Sequence, residues 1–166
     1  LDGVIDQVLL LVFEHVRYLR HSGQNIRSIV FSSCNWQACG ILNWKQPNFP
    51  VLFHIKGLKR SNGLFIMDTP HNLRDLAVDP AKVNFAQERS RGIHQIVSFA
   101  ANNNLLGIIV PYDLLKICRL LIGAIQGQGL LLVGSIEDDQ QGVIDDDEIN
   151  GLHTEYELLF NKSIDM

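Results

Sequence analysis

Six histidines and three cysteines are the side chains of this 166-residue chain best suited to hold a metal or relay a proton. Zinc-type sites need such ligands closely spaced, or paired with a carboxylate at similar spacing. Here the histidines are dispersed, no C-x-x-C pair occurs, and Cys34, Cys39 and Cys118 are an odd set that no disulfide scheme exhausts. Reduced, intracellular, mostly buried thiols are the expectation. The acidic run Asp145-Asp146-Asp147-Glu148, with Asp138 and Asp139 upstream, would attract a hard cation, but it lacks the alternating ligand spacing of a calcium loop and reads as a solvated acidic loop. His71-Asn72-Leu73-Arg74-Asp75-Leu76 is not arranged as a kinase catalytic loop requires, and the downstream Asn of that loop is missing. Ser32 and Ser33 end an apolar run with no recognisable base beside them. His54 and Lys56 end the next run and could hold an anion, although an exposed strand end with solvated charge is the plainer reading.

The elements that would position these groups follow from hydrophobic patterning. Val4 to Tyr18 is apolar with Glu14, His15 and Arg17 interspersed, the pattern of a largely buried helix. Runs at 28–33, 51–55, 105–110 and 130–134 are continuously apolar and predict buried parallel strands. Asn35 is a good N-cap for a helix through Cys39, Ile41 and Leu42 that Pro47 stops. Glu88 to Asn102 predicts another helix. Asp113 caps a third, whose Leu114, Cys118, Leu121 and Ile125 form one stripe, with the glycines after it as caps rather than a phosphate loop. A strand and a helix over 149–160 close the chain. Between them, 57–87 is rich in turn residues and predicts a long mobile loop without sheet or long helix. Helices alternating with apolar strands mean a parallel sheet covered on both faces, met either by a doubly wound sheet or by part of an eight-fold barrel.

Composition narrows the partners. The formal charge is −4 with no concentrated cluster of Lys and Arg, so nucleic acid is not an expected partner. No apolar run approaches the ~18 residues of a membrane span. The chain opens on Leu1-Asp2-Gly3 without a secretory signal or initiator Met, and it is expected to belong to a longer polypeptide.

Several segments resemble one family in order along the chain. Ser28-Ile29-Val30-Phe31-Ser32-Ser33, then Leu42-Asn43-Trp44-Lys45-Gln46-Pro47-Asn48-Phe49-Pro50-Val51-Leu52-Phe53, resemble the fungal glycerophosphodiester phosphodiesterase pattern, with 42–53 its most specific part. Leu105-Leu106-Gly107-Ile108-Ile109, Leu114-Leu115-Lys116, Gly129-Leu130-Leu131-Leu132-Val133 and Ile149-Asn150-Gly151-Leu152 resemble its later segments. The resemblance implies an α/β fold, the C-terminal part of a TIM (β/α)8 barrel spanning 1–166. It also implies that the family's divalent metal, such as calcium or magnesium, and its catalytic residues belong to the N-terminal half, so neither cofactor nor catalytic residue is expected in this chain.

The departures from the pattern fall at the barrel mouth. Lys56 stands where the family carries an acidic residue, and His153 follows Asn150-Gly151-Leu152 where the enzymes continue differently. Mouth candidates are Ser33, His54, Lys56, Tyr112 and His153. Trp44-Lys45-Gln46-Pro47, the run 102–112 and the Ile164-Asp165-Met166 end look more like a regulatory branch with SPX and ankyrin regions, inhibitors of cyclin-dependent kinases in phosphate signalling, than like the enzymes. That likeness implies a non-catalytic domain of the cytoplasm and nucleus, a cyclin–kinase pair bound through other domains, and contact with the upstream part of the same polypeptide. The alternative is the C-terminal half of an active metal-dependent phosphodiesterase.

Overall fold

The structure, a computed structural model, describes residues 1–25, 28–55, 59–61, 64–66, 93–136, 148–154 and 158–160. Helix α1 (Asp2–His21) buries Ile5, Leu9 and Val16, three positions at helical spacing on one line, and leaves most of its other side chains exposed, so it is not the largely buried helix expected. Strand β1 (Phe31–Ser33) follows. The Asn35 side chain then caps α2 (Trp36–Lys45) by accepting from the Gln37 and Ala38 N–H groups at 2.9 and 3.2 Å. The helix ends at Gln46, whose extended backbone precedes Pro47. Gln46 is fully buried, and its amide both donates to the Phe49 carbonyl and accepts from the Phe49 N–H at 2.7 Å, closing the turn into β2 (Val51–His54).

Strands β2, β5 (Gly107–Pro111), β6 (Leu131–Ser135) and β7 (Gly151–His153) continue the sheet in the order β1-β2-β5-β6-β7-β8, all parallel up to β7. Helix α3 (Ile93–Asn102) leads into β5, and α4 (Tyr112–Ile117) and α5 (Leu120–Gln126) connect β5 to β6. Alternate residues of each central strand point to opposite faces. Val51, Phe53, Ile108, Val110 and Leu132 join the helices in the main core, while Leu52, Ile109 and Val133 form a second cluster on the other face. Every one of these eight is at most 2 % exposed, which is the two-sided burial that parallel strands require.

Several expectations are corrected. The helix foreseen from Asp113 is two helices, because the backbone leaves the helical region at Cys118, and Pro111 rather than Asp113 stands at the N-cap. The chain closes on a strand, β8 (Leu158–Phe160), antiparallel to β7, where a helix was expected. The stretch 57–87 holds a two-stranded antiparallel hairpin, β3 (Lys59–Ser61) with β4 (Leu64–Ile66), at its start; the rest of that expected mobile loop lies outside the described residues. β1 is not buried throughout, since Ser32 is exposed. Of the cysteines, only Cys39 is buried; Cys118 is half-buried and Cys34 exposed.

Gly107 faces the backbone of β6 so closely that a Cβ there would lie 2.1 Å from the Leu131 carbonyl oxygen, whereas a Cβ on Gly40 in α2 would meet nothing within 4 Å. Gly107→Ala must therefore shift the β5–β6 ladder, and should cost about 1–3 kcal/mol. Gly40→Ala should stabilise by about 0.5–1 kcal/mol through helix propensity. Urea unfolding of the two variants should give opposite signs.

Candidate functional site

In a parallel α/β sheet, functional groups gather at the carboxyl ends of the strands. The described strand ends here are Ser33, His54, Pro111, Ser135 and His153. His54 shares the face of Leu52, and His153 lies in register beside Ser135 on the face of Val133. β2 and β7 stand three places apart in the sheet order, roughly 14 Å on a flat sheet. The His54 and His153 rings nevertheless meet at 5.3 Å between centroids, 66° apart in plane. Such a contact needs a sheet curled toward that face, a wall of barrel-like curvature rather than a flat one. Leu158 of β8, in register with His153, and Phe160 pack on the same face against Leu52, Ile109 and Val133.

Of the five mouth candidates, His54 and His153 are the two brought together. Ser33 points to the helix side: its Oγ accepts the Asn35 N–H at 3.1 Å and its carbonyl accepts from the Cys39 thiol at 3.4 Å, so it shapes the entry to α2. The neighbouring Ser32 shares the other face with Val30 and Leu52. Tyr112 is buried in the main core with the Lys116 ammonium 4.6 Å above its ring. Lys56 lies outside the described residues, as do 71–76 and Asp138, Asp139, Asp145, Asp146 and Asp147 of the acidic run. Glu148, described, pairs with Arg119 at 2.9 Å. Among the described residues there is no group of three or more His, Cys, Asp and Glu that could hold a metal ion.

Two groups have titrations set by burial. Desolvation pushes the Cys39 thiol up to about 12, against the smaller opposing effect of its bond to the Ser33 carbonyl, so this cysteine is a neutral core side chain and not a nucleophile. Burial also lowers His153 below its ordinary 6.5, favouring the neutral ring that can sit against His54.

A second concavity, missed by sequence reasoning, lies on the helix side. It encloses about 460 Å³ between α2 and α3, floored by Phe53 and walled by Trp36 and Phe99, with His94, Ser98 and Asn102 on its rim. Trp36 and Phe53 both meet the Phe99 ring edge to face, at 5.8 and 6.1 Å. The sequence signal was slight: an aromatic residue directly after the N-cap of α2 and another on the apolar face of α3.

Over its whole length the chain is 51 % identical to a segment of the phosphate system positive regulatory protein PHO81 of Saccharomyces cerevisiae, across 169 aligned residues. It is 34 % identical over 142 residues, 77 % of the chain, to the ankyrin repeat protein nuc-2 of Neurospora crassa. The chain spans only 14 % and 13 % of these two relatives. No family model matches it. No solved structure matches it.

Because the folded chain holds His153 below 6.5, the unfolded chain binds the extra proton between the two values. Stability should be fully present above 6.5 and fall as pH drops through 6.5 toward the lowered folded value. This component should disappear in His153→Phe; unfolding curves with equal pH slopes for both proteins across that window would contradict it. Native labelling with iodoacetamide, read peptide by peptide, should modify the exposed Cys34 and leave Cys39 unmodified until the chain unfolds.

Proposed function

We propose that this chain is a non-catalytic, glycerophosphodiesterase-like domain segment of a regulator of phosphate signalling. The observation that carries the reading is the 51 % identity to a phosphate-system regulatory protein along the entire chain. The finer part of the proposal is that the regulator inhibits a cyclin-dependent kinase, that other regions hold the cyclin–kinase pair, and that it works in the cytoplasm and nucleus without nucleic acid or membrane. No helix among the described residues is long and apolar enough to cross a membrane. The barrel-like reading draws support from the curled sheet, whose strands are parallel until the last. The non-catalytic reading draws support from the strand ends, where imidazole and hydroxyl groups stand and the described positions Ser33, His54, Pro111, Ser135 and His153 include no carboxylate. Hydrolysis of a phosphodiester requires a polarised phosphoryl group and a positioned acid and base. The upstream part of the polypeptide is the proposed neighbour of this segment within the same molecule.

The reading is tested by exchange. Replacing the matched segment of the Saccharomyces cerevisiae relative with this chain should preserve phosphate-dependent expression of a reporter, and His54→Ala with His153→Ala in the exchanged segment should leave the response in place. A response lost on exchange of a stably expressed protein would sink the regulatory reading. Metal-dependent release of glycerol 3-phosphate from glycerophosphocholine by the purified protein would sink the non-catalytic one.

A further inference from the structure

Helix α1 carries more apolar surface than the described fold covers. Its buried line is Ile5, Leu9 and Val16. On one flank of that line Asp2 and Asp6 bind the Lys45 ammonium of α2 at 2.7 and 2.5 Å, and Phe13 packs on Phe49. On the other flank Leu1, Val4, Val8, Leu11, His15 and Tyr18 recur at alternating intervals of three and four residues. At about 100° per residue this set forms one stripe roughly 120° round from the buried line, on the side away from α2. All six are exposed, Val4 to 62 % and Leu11 and Tyr18 to 66 %. The remaining sector, with Gln7, Glu14 and Arg17, is exposed and mostly polar, with Leu10 at 58 % exposure as a single apolar side chain among them. Among the described residues α2 is the helix that packs on α1, and one neighbour needs one apolar face; α1 has a second, at the 3-4 spacing with which helices pack on one another.

We propose that this flank of α1 is an intramolecular seat for a further helix from polypeptide of the intact protein outside these 166 residues. The inference rests on the reading of the chain as a segment of a longer regulator, and it adds the surface through which the segment is held. Magnitude decides against the other obvious occupant, a second copy. A stable interface takes about 20–30 residues a side, and a single stripe of six supplies far fewer. A covalently attached helix needs no such area, because attachment gives it an effective concentration on the order of millimolar. The relatives provide ample chain for the purpose, since the matched segment is 14 % of one and 13 % of the other.

The test uses the full-length protein in its natural context of domains. Leu11→Cys, on the stripe, and Arg17→Cys, on the polar sector of the same helix, are labelled with a maleimide and the rates read at that peptide by mass spectrometry. Leu11→Cys should react about tenfold more slowly than Arg17→Cys, by the same factor after hundredfold dilution. A photo-crosslinking residue at position 11 should join α1 to a peptide of the same molecule outside the 166 residues. Equal rates, protection lost on dilution as for a second copy, or crosslinks confined to residues 1–166 would each overturn the proposal. Labelling reports only whether α1 is covered, so its outcome is independent of the phosphate-response exchange.

Discussion

The constraint on which this structure depends is the need of β2, β5 and β6 to be covered on both faces. Val51, Leu52 and Phe53 follow one another in sequence and are all within 2 % of full burial, although adjacent strand residues point in opposite directions. A sheet with one solvated face could not accept such a run, since each large apolar side chain left in water forgoes about 1.5–3 kcal/mol. One face is covered by helices, and this explains why Leu42, Ile96, Val97, Leu115, Ile122 and Ile125 lie on inward helix faces in a single core with Phe53 and Ile108. The other face has no helix among the described residues. It is closed by the sheet itself, which curls until Leu52, Ile109 and Val133 pack together with Leu158 and Phe160 of the antiparallel β8.

Curvature also makes the candidate site. The strand ends change character within one or two residues, from Phe53 to His54 and from Gly134 to Ser135, where the close-packed wall gives way to polar groups. His54 and His153 can touch only because the wall between them bends, so their contact and the buried cluster beneath them have one cause. Burial there favours the uncharged ring of His153, consistent with two imidazoles meeting edge to face. Asn150 helps hold β7 in place: its side-chain Oδ1 accepts from the Leu132 N–H at 2.8 Å while its backbone N–H donates to the Leu132 carbonyl at 2.8 Å. An asparagine thus extends the ladder one step before β7 begins, in a stretch where the sequence reading saw only a strand start.

Much of this was legible because parallel strands, buried twice over, read as continuous apolar runs, and because Asn35 and Pro47 bracket α2 by chemistry that acts locally. What escaped was set by distant partners or left no local mark. No glycine or proline stands at Cys118–Arg119, and apolar residues continue across the break, so two helices read as one. Leu158-Leu159-Phe160 is too short a run to separate strand from helix until β7 offers a partner. Facing was equally hidden: a one-residue offset decides whether Ser32 or Ser33 looks away from the helices, and register with β2 decides it for Ser32. The pairing of His54 with His153, ninety-nine positions apart, required knowing that the sheet curls, which the alternation of helices and strands leaves open between a doubly wound and a barrel arrangement.

The two ends of the sheet are finished differently, and the difference has a physical meaning. At one end β8 runs antiparallel to β7 and sends Leu158 and Phe160 into the concave cluster, with Leu159 alone turned to solvent at 54 % exposure. At the other, β1 pairs only with β2 among the described residues, and its Ser32 is exposed on the concave side. Natural sheets blunt a free edge with charge, proline or a bulge, and Phe31-Ser32-Ser33 carries none of these. Nor does α1, which precedes that strand, present an all-polar outer surface, for its second apolar stripe adds to the unfinished character of this end. A stripe of Leu, Val and Tyr in water lowers solubility and favours non-specific association. That surface and the plain β1 edge therefore act in the same direction, with both gaining from cover at the β1 end, whereas β8 already completes the opposite end from within the chain.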